Sequence, residues 1–141
     1  MESSEPDMIR ALERGLGEYV RAVAAAVGVP AESAMVEVSD TATAYLGLPR
    51  SWLGPTDRDV MLVWSERRGW SIAVETRPAE VPMVIAHLGG DDLVPSPRKV
   101  AQFVADSAAG RHVGQERPAF VTVDARGALA ERLSYYVHAP D

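Results

Sequence analysis

The residues best suited to bind a ligand lie where a predicted strand gives way to a predicted helix. Ser96-Pro97 is a typical helix start, and the backbone N–H groups of such a start bind anions. Arg98 and Lys99 fall in the first helical turn, where cations oppose the helix dipole, so a bound anion would relieve the conflict. Ion pairs with the nearby Asp91 and Asp92 would relieve it as well. The candidate ligand-binding set is His87, Asp91, Asp92, Arg98 and Lys99.

A pocket around this set would suit a small hydrolase or another enzyme that binds an anionic ligand, whereas a solvated turn would leave it without function. No serine lies in a Gly-x-Ser-x-Gly elbow, and neither a Gly-x-Gly-x-x-Gly nor a Walker pattern is present. The sequence therefore assigns no catalytic residue and no nucleotide cofactor. Asp40, between two β segments, is either an inward carboxylate suited to act as a general acid or a turn residue that bonds nearby amides.

Metal binding has little support in the sequence. The chain has no cysteine, which excludes disulfides, thiol nucleophiles and every thiolate metal site. Oxygen and imidazole ligands are available, but no recognised ligand spacing connects them. We predict neither a metal nor any other cofactor. These available ligands are Asp57, Asp59, Asp91, Asp92, His87, His112 and His138.

Composition and charge restrict the class of partner. The 141 residues carry a formal net charge of −6, which repels a phosphate backbone, although Arg67 and Arg68 lie between two tryptophans. We predict no nucleic-acid partner. The longest nearly apolar stretch, 22–29, is far shorter than a membrane span, and the acidic first residues are unlike a signal peptide. These features predict a cytoplasmic protein without a membrane partner.

Periodicity predicts three helices. Apolar residues from Ile9 onward recur at three- and four-residue spacing, with Asp7 as a possible N-cap and Gly28 as the stop. A second helix runs from Ser96-Pro97 to Gly110. A third follows a possible short strand at 119–123.

Between the first two helices, the residues alternate or form apolar runs typical of strands. Segments 35–39 and 41–48 form one bent strand or a hairpin, 60–65 and 70–76 form a hairpin around Gly69, and 81–88 forms a further strand. We therefore predict one α+β domain spanning residues 1–141. Its sheet is mainly antiparallel, has about four to five strands, and packs with three helices as a two-layer sandwich.

Both faces of the predicted hairpin at 60–76 are apolar, so something must cover each face. The helices could be divided between the two faces, or all could lie on one face and leave the other to a partner chain. This pattern favours a non-enzymatic accessory or binding module that holds a protein partner or associates with itself through the sheet face or the first helix. The candidate interface residues are Met61, Val63, Ala73 and Val84.

Four segments together resemble a small actinobacterial family of domains of unknown function. The resemblance implies an actinobacterial cytoplasmic protein and no particular activity. The order of elements also resembles compact α+β chaperone-like domains, which would imply binding to other proteins. The four segments are Gly17-Glu18-Tyr19-Val20-Arg21-Ala22-Val23, Val38-Ser39-Asp40-Thr41-Ala42-Thr43-Ala44-Tyr45-Leu46, Leu62-Val63-Trp64-Ser65-Glu66-Arg67-Arg68-Gly69-Trp70 and Leu88-Gly89-Gly90-Asp91-Asp92-Leu93-Val94-Pro95.

Overall fold

A long helix leads into five strands, and two shorter helices follow. The computed structural model describes residues 5–49, 59–75, 83–89, 92–109 and 126–138. The strands pair in chain order, and every neighbouring pair is antiparallel. The predicted α+β fold is therefore confirmed. The elements are α1 Glu5–Val27, a short 3-10 helix Ala31–Ser33, β1 Ala34–Val38, β2 Ala42–Leu48, β3 Val60–Ser65, β4 Gly69–Val74, β5 Met83–His87, α2 Pro97–Ala108 and α3 Arg126–His138.

Turn and cap residues explain several of these boundaries. Gly28 ends α1 with φ of 93°, and Gly69 closes the β3–β4 hairpin with φ of 70°, a backbone region that favours glycine. The side chain of Ser96 accepts a hydrogen bond from the Lys99 N–H at 3.2 Å and so caps α2 as predicted.

Some predicted boundaries differ from the observed ones. Of the two alternatives predicted for segments 35–39 and 41–48, the structure has the hairpin, with strands at 34–38 and 42–48. Helix α1 begins at Glu5, so Asp7 lies inside its first turn instead of capping it. The possible strand at 119–123 lies outside the described residues.

The hydrophobic core lies between the helices and one face of the sheet. Helix α1 packs against β1 and β2, and α2 and α3 pack against α1. The buried stripe of α1, the inward side chains of the strands and the apolar faces of α2 and α3 form one cluster. The described helices thus share one side of the sheet, which is the second of the two arrangements left open by the sequence. The largest fully buried side chains of the cluster include Leu12, Leu16, Tyr19, Leu62, Trp64, Trp70 and Leu133.

Helices α1 and α3 approach each other closely at Gly15. A Cβ atom added at this glycine would lie 2.7 Å from the Cβ of Leu133 and 3.2 Å from its carbonyl carbon. Backbone cannot yield as a flexible side-chain tip can, so a larger residue would force the helices apart. An added Cβ at Gly17, in the same helix, meets no described atom within 4 Å.

An ion pair between Glu66 and Arg126 connects the start of α3 to the turns of two hairpins. Glu66, only 3% exposed, lies in the β3–β4 turn, and its Oε1 accepts hydrogen bonds from the Ala42 N–H and from Nη2 of Arg126, each at 2.7 Å. The same Nη2 also donates to the carbonyl oxygens of Ser39 at 2.8 Å and Asp40 at 3.2 Å. Arg126 is the first residue of α3, where a cation opposes the helix dipole, and the Glu66 carboxylate offsets that cost.

We predict opposite effects for two glycine substitutions in α1. Gly15→Ala should lower the free energy of unfolding by about 1–3 kcal/mol because of the clash with Leu133. Gly17→Ala should raise it by up to about 1 kcal/mol because alanine favours the helix. Urea denaturation of both variants measures the two changes. Equal effects at the two positions would contradict the close approach of α1 and α3.

We also predict that Glu66 and Arg126 are energetically coupled. Glu66→Gln and Arg126→Met should each lower the free energy of unfolding by about 2–4 kcal/mol, because each removes one charge of the pair from beside the opposite charge. The double variant should lose clearly less than the sum of the two single losses. Denaturation of all four proteins measures the coupling, and strictly additive losses would rule it out.

Candidate functional site

The sheet face turned away from α1 is here called the outer face, and strand register identifies its residues. Along β2 and β3, residues that point into the core alternate with residues that point outward. Register places two neighbouring rows of outward residues across the sheet. One row contains Met35, Tyr45, Val63, Ser71 and His87. The next row contains Gly47, Met61, Ala73 and Val84.

A β-bulge adds an apolar residue to this face at β5. Ala73 pairs with Val84 and Ile72 pairs with Ala86, which leaves Ile85 as an extra residue. Regular alternation would turn Val84 and Ala86 to the same side. The bulge instead lets Val84 point outward while Ala86 packs against the core.

Six apolar side chains on these strands form what we call the outer patch. Four of them are strongly exposed: Met35 by 67%, Val84 by 44%, Ile85 by 42% and Tyr45 by 38%. Within the described part of the chain, none of the six belongs to the core or packs against it. Exposed apolar side chains grouped on one sheet face are typical of interaction sites. The outer patch consists of Met35, Tyr45, Met61, Val63, Val84 and Ile85.

The four residues predicted as an interface all lie on the outer face. Met61 and Val63 are half-buried, and Val84 is exposed. Ala73 is only 2% exposed, so its neighbours already cover it and it offers little surface to a partner. That these residues form an interface stays a prediction.

Sequence reasoning missed Met35, Tyr45 and Ile85. Two of them could have been predicted from the sequence. In β1 and β2, Met35 and Tyr45 alternate with residues that face the core, so they point to the other face. The exposure of Ile85 depends on a bulge, which local alternation does not reveal.

An open groove of about 570 Å³ lies at the end of the outer face where β2 ends and β3 begins. Its apolar wall comes from Met35, Tyr45 and Met61. Gly47 lies between them in the sheet and has no side chain to fill the space. The carboxylates of Asp59 and Glu75 also line the groove, and the two residues are joined by a hydrogen bond from the Glu75 N–H to the Asp59 carbonyl oxygen at 2.9 Å.

The structure separates the residues of the predicted anion site. His87 is half-buried on the outer face opposite Ser71. Arg98 and Lys99 are exposed in the first turn of α2, on the helix side of the sheet. Asp91 lies outside the described residues. The described members therefore do not form one concave pocket, and their role in binding a ligand stays a prediction.

Asp92, the remaining member of this set, has a structural role. Its carboxylate pairs with Arg132 of α3, with 3.2 Å between Oδ1 and Nη1. Oδ1 also accepts a hydrogen bond from the Val94 N–H at 2.9 Å, a typical aspartate turn. Asp92 thus pairs with an arginine from α3, which is far away in the sequence, rather than with the neighbouring Arg98 or Lys99.

Residues 93–95, just before α2, are held by hydrogen bonds to their three successive carbonyl oxygens. The Trp64 indole donates to the carbonyl of Leu93 at 2.8 Å, Nη2 of Arg132 donates to that of Val94 at 2.8 Å, and the Tyr19 hydroxyl donates to that of Pro95. The donors come from β3, α3 and α1. Residues 93–95 are therefore bonded to both the sheet and the helices.

The Tyr19 hydroxyl lies at the centre of a buried aromatic cluster. It also accepts a hydrogen bond from the Trp70 indole at 3.0 Å, and the ring of Tyr136 lies 4.8 Å from that of Tyr19. Burial raises the pKa of Tyr19 well above its usual range, because the phenolate would be poorly solvated. Burial also raises the pKa of Tyr136, and the nearby Arg132 opposes this increase.

Two further hypotheses concerned Asp40 as a general acid and a set of possible metal ligands. Asp40 is exposed between β1 and β2, so the interpretation as an inward, buried general acid is wrong. Among the described residues, no group of three or more histidine, aspartate or glutamate side chains could hold a metal ion. No described helix combines the length and apolar character needed to cross a bilayer.

We predict that Tyr19→Phe lowers stability and changes its dependence on pH. At neutral pH, the loss should be about 1–3 kcal/mol, because the Pro95 carbonyl and the Trp70 indole lose their partner. Above about pH 10 the unfolded wild type releases a tyrosine proton that the folded state retains, so its stability falls as pH rises.

The alkaline decrease should be smaller in Tyr19→Phe than in the wild type. Urea denaturation at neutral pH and at about pH 11 measures both effects. Tyr135→Phe serves as the matched control, because Tyr135 is 66% exposed. The same alkaline decrease in wild type and Tyr19→Phe would show that burial of this hydroxyl does not matter.

Comparison with known proteins identifies the family but no activity. The model of a family of unknown function, DUF6292, matches residues 19–106, which span the chain from the middle of α1 to α2. No curated protein and no solved structure gives a significant match. The matched region covers more than half of the chain and contains all five strands of the sheet. The chain therefore belongs to the DUF6292 family of unknown function.

Proposed function

We propose that this chain is a non-enzymatic binding module that docks a protein partner, or a second copy of itself, on the outer face of its sheet. The observation that carries the proposal is the outer patch. Its six apolar side chains lie on one face and outside the described core, and four of them are strongly exposed. Burial of such surface against a partner would stabilise a complex at roughly 25 cal/mol per Å² before the costs of association are counted.

The patch also has suitable chemistry for recognition. It combines an aromatic ring, two methionines and three branched aliphatic side chains. Methionine side chains adapt to irregular surfaces, and tyrosine is enriched at the energetic centres of interfaces. Pairing of the strands sets the relative positions of these side chains, so a partner would meet a largely preformed surface.

The enzyme alternative is a small hydrolase or an enzyme that binds an anionic ligand near His87, Asp91, Asp92, Arg98 and Lys99. It has less support, because Asp92 is paired with Arg132 and the other described members lie on two sides of the sheet. A cytoplasmic location, an actinobacterial source and the absence of a nucleic-acid partner also stay predictions.

We predict that substitutions in the outer patch weaken binding without unfolding the protein. The test begins with peptides selected by display from a random library against the immobilised wild type. The combined variant Met35→Thr, Tyr45→Thr and Val84→Thr should bind these peptides at least about tenfold more weakly. Its stability should change by no more than about 1 kcal/mol, because threonine favours strands and the three side chains lie outside the core.

Tyr135→Gln is the matched control, because it removes an exposed aromatic side chain from α3 instead of the sheet. Peptides should bind this control as they bind the wild type. Light scattering on the free protein tests the second copy as an occupant, and a dimer that the combined variant dissociates would also support the proposal. A monomer for which no peptide is selected, or peptides that bind the combined variant unchanged, would contradict it.

A further inference from the structure

We propose that Met35 is an oxidation site that controls docking on the outer face: a hydroperoxide converts its exposed thioether to a sulfoxide, and the modified side chain weakens binding of the partner. This inference rests on the proposed function and adds a regulation of the same surface. Its basis is the position of Met35, which is accessible to solvent, belongs to the outer patch and lies outside the core.

Exposure distinguishes Met35 from the other methionines whose side chains the structure describes. Met35 is 67% exposed, whereas Met61 is half-buried on the same face. Met8 is half-buried as well and packs against the core. A peroxide must reach the sulfur atom to oxidise it, so the rate of oxidation follows exposure. We therefore expect Met35 to react first among these three.

The reaction adds one oxygen atom to the side chain and leaves the rest of the protein intact. A lone pair of the Met35 sulfur attacks the terminal oxygen of the hydroperoxide, so that an S–O bond forms and the O–O bond breaks. The sulfur loses two electrons, and the peroxide gains them. The proton on the transferred oxygen passes to the departing oxygen, which leaves as water or an alcohol. Methionine sulfoxide reductases return the sulfoxide to the thioether, so the modification is reversible.

The product is polar at a position where docking depends on apolar contact. Met35 lies opposite Tyr45 in the strand register, and both side chains line the groove together with Met61. A partner that packs apolar side chains here would take the sulfoxide oxygen out of water without giving it a hydrogen-bond donor. Burial of a polar atom without a hydrogen bond is costly. Oxidation of Met35 therefore weakens docking.

The fold itself tolerates this oxidation. Within the described part of the chain, Met35 belongs neither to the core cluster nor to the half-buried residues that pack against it. Its strand pairs with β2 through main-chain atoms, which oxidation of the sulfur leaves unchanged. A sulfoxide at Met8 would instead lie against the core, where a polar group is destabilising. The outer patch can thus change its chemistry while the protein stays folded.

Two measurements on the folded full chain test the inference. Dilute hydrogen peroxide is added, and digestion followed by mass spectrometry measures the oxygen gained at each methionine over time. Met35 should gain oxygen at least about threefold faster than Met61 or Met8. After the peroxide is removed, fluorescence anisotropy measures binding of the display-selected peptides, in versions without methionine. The treated wild type should bind at least about tenfold more weakly, and a methionine sulfoxide reductase should restore its affinity.

Variants that lack one thioether assign the effect to its residue, and each is compared with its own untreated form. Met35→Leu carries an apolar side chain that peroxide does not oxidise, so treatment should change its affinity by less than about twofold. Met8→Leu is the matched control, because it removes a thioether on the core side of the sheet. Treatment should weaken its binding as much as that of the wild type. Circular dichroism should show that the treated wild type stays folded.

The outcomes separate this inference from the proposed function. Oxidation of Met35 no faster than that of Met8, or an equal loss of affinity in treated Met35→Leu and wild type, would overturn the inference and leave the docking function in place. If light scattering shows a dimer, peroxide should dissociate the wild type but not Met35→Leu, and a dimer that survives oxidation of Met35 would overturn the inference. A monomer for which no peptide is selected would overturn the proposed function and the inference with it.

Discussion

Complete burial of the apolar stripe of α1 is the constraint around which the other elements are arranged. Leu12, Leu16 and Tyr19 are inaccessible to solvent. The helix packs against the sheet, and α2 and α3 pack against the helix. Because all three contribute to one core on one side, the outer face receives no described helix. The exposure of the apolar residues on that face thus follows from the way α1 is covered. This exposure is the basis of the proposed function.

Apolar contacts do not by themselves fix the positions of loops and helix ends, and directional polar contacts do so here. Arg126 ties the start of α3 to two hairpin tips through Glu66 and two carbonyl oxygens. Tyr19, Trp64 and Arg132 hold the segment before α2. Each contact joins elements far apart in the chain and satisfies groups that would be costly to bury alone. Hydrogen bonds and ion pairs thus hold the elements on the helix side in position, whereas the outer face presents apolar side chains to solvent.

Local pattern was sufficient to predict much of the fold. Three- and four-residue spacing with a glycine stop identified α1, a serine cap with proline identified α2, and the glycine turn identified the β3–β4 hairpin. The pattern also showed that β3 has two apolar faces. It did not show which face the helices cover. That choice depends on packing between elements far apart in the sequence, and the local pattern gives no information about such contacts.

The polar contacts and the groove were beyond sequence reasoning for the same reason. Glu66 has the sequence context of a solvated turn, yet it is buried because an arginine 60 positions later pairs with it. Asp92 pairs with Arg132, 40 positions away, and not with its basic neighbours. The groove exists because register sets Gly47 beside Met61, and register is a property of the assembled sheet.

The most direct test of this account is hydroxyl-radical footprinting of the free protein at a concentration where light scattering shows a monomer. The account predicts fast labelling of Met35 and Tyr45 and protection of Trp64 and Trp70, since the first two lie on the open face and the tryptophans lie beneath α1. Protection of Met35 and Tyr45 at the level of the tryptophans would mean that the outer face is already covered, and the proposed docking role would then be wrong.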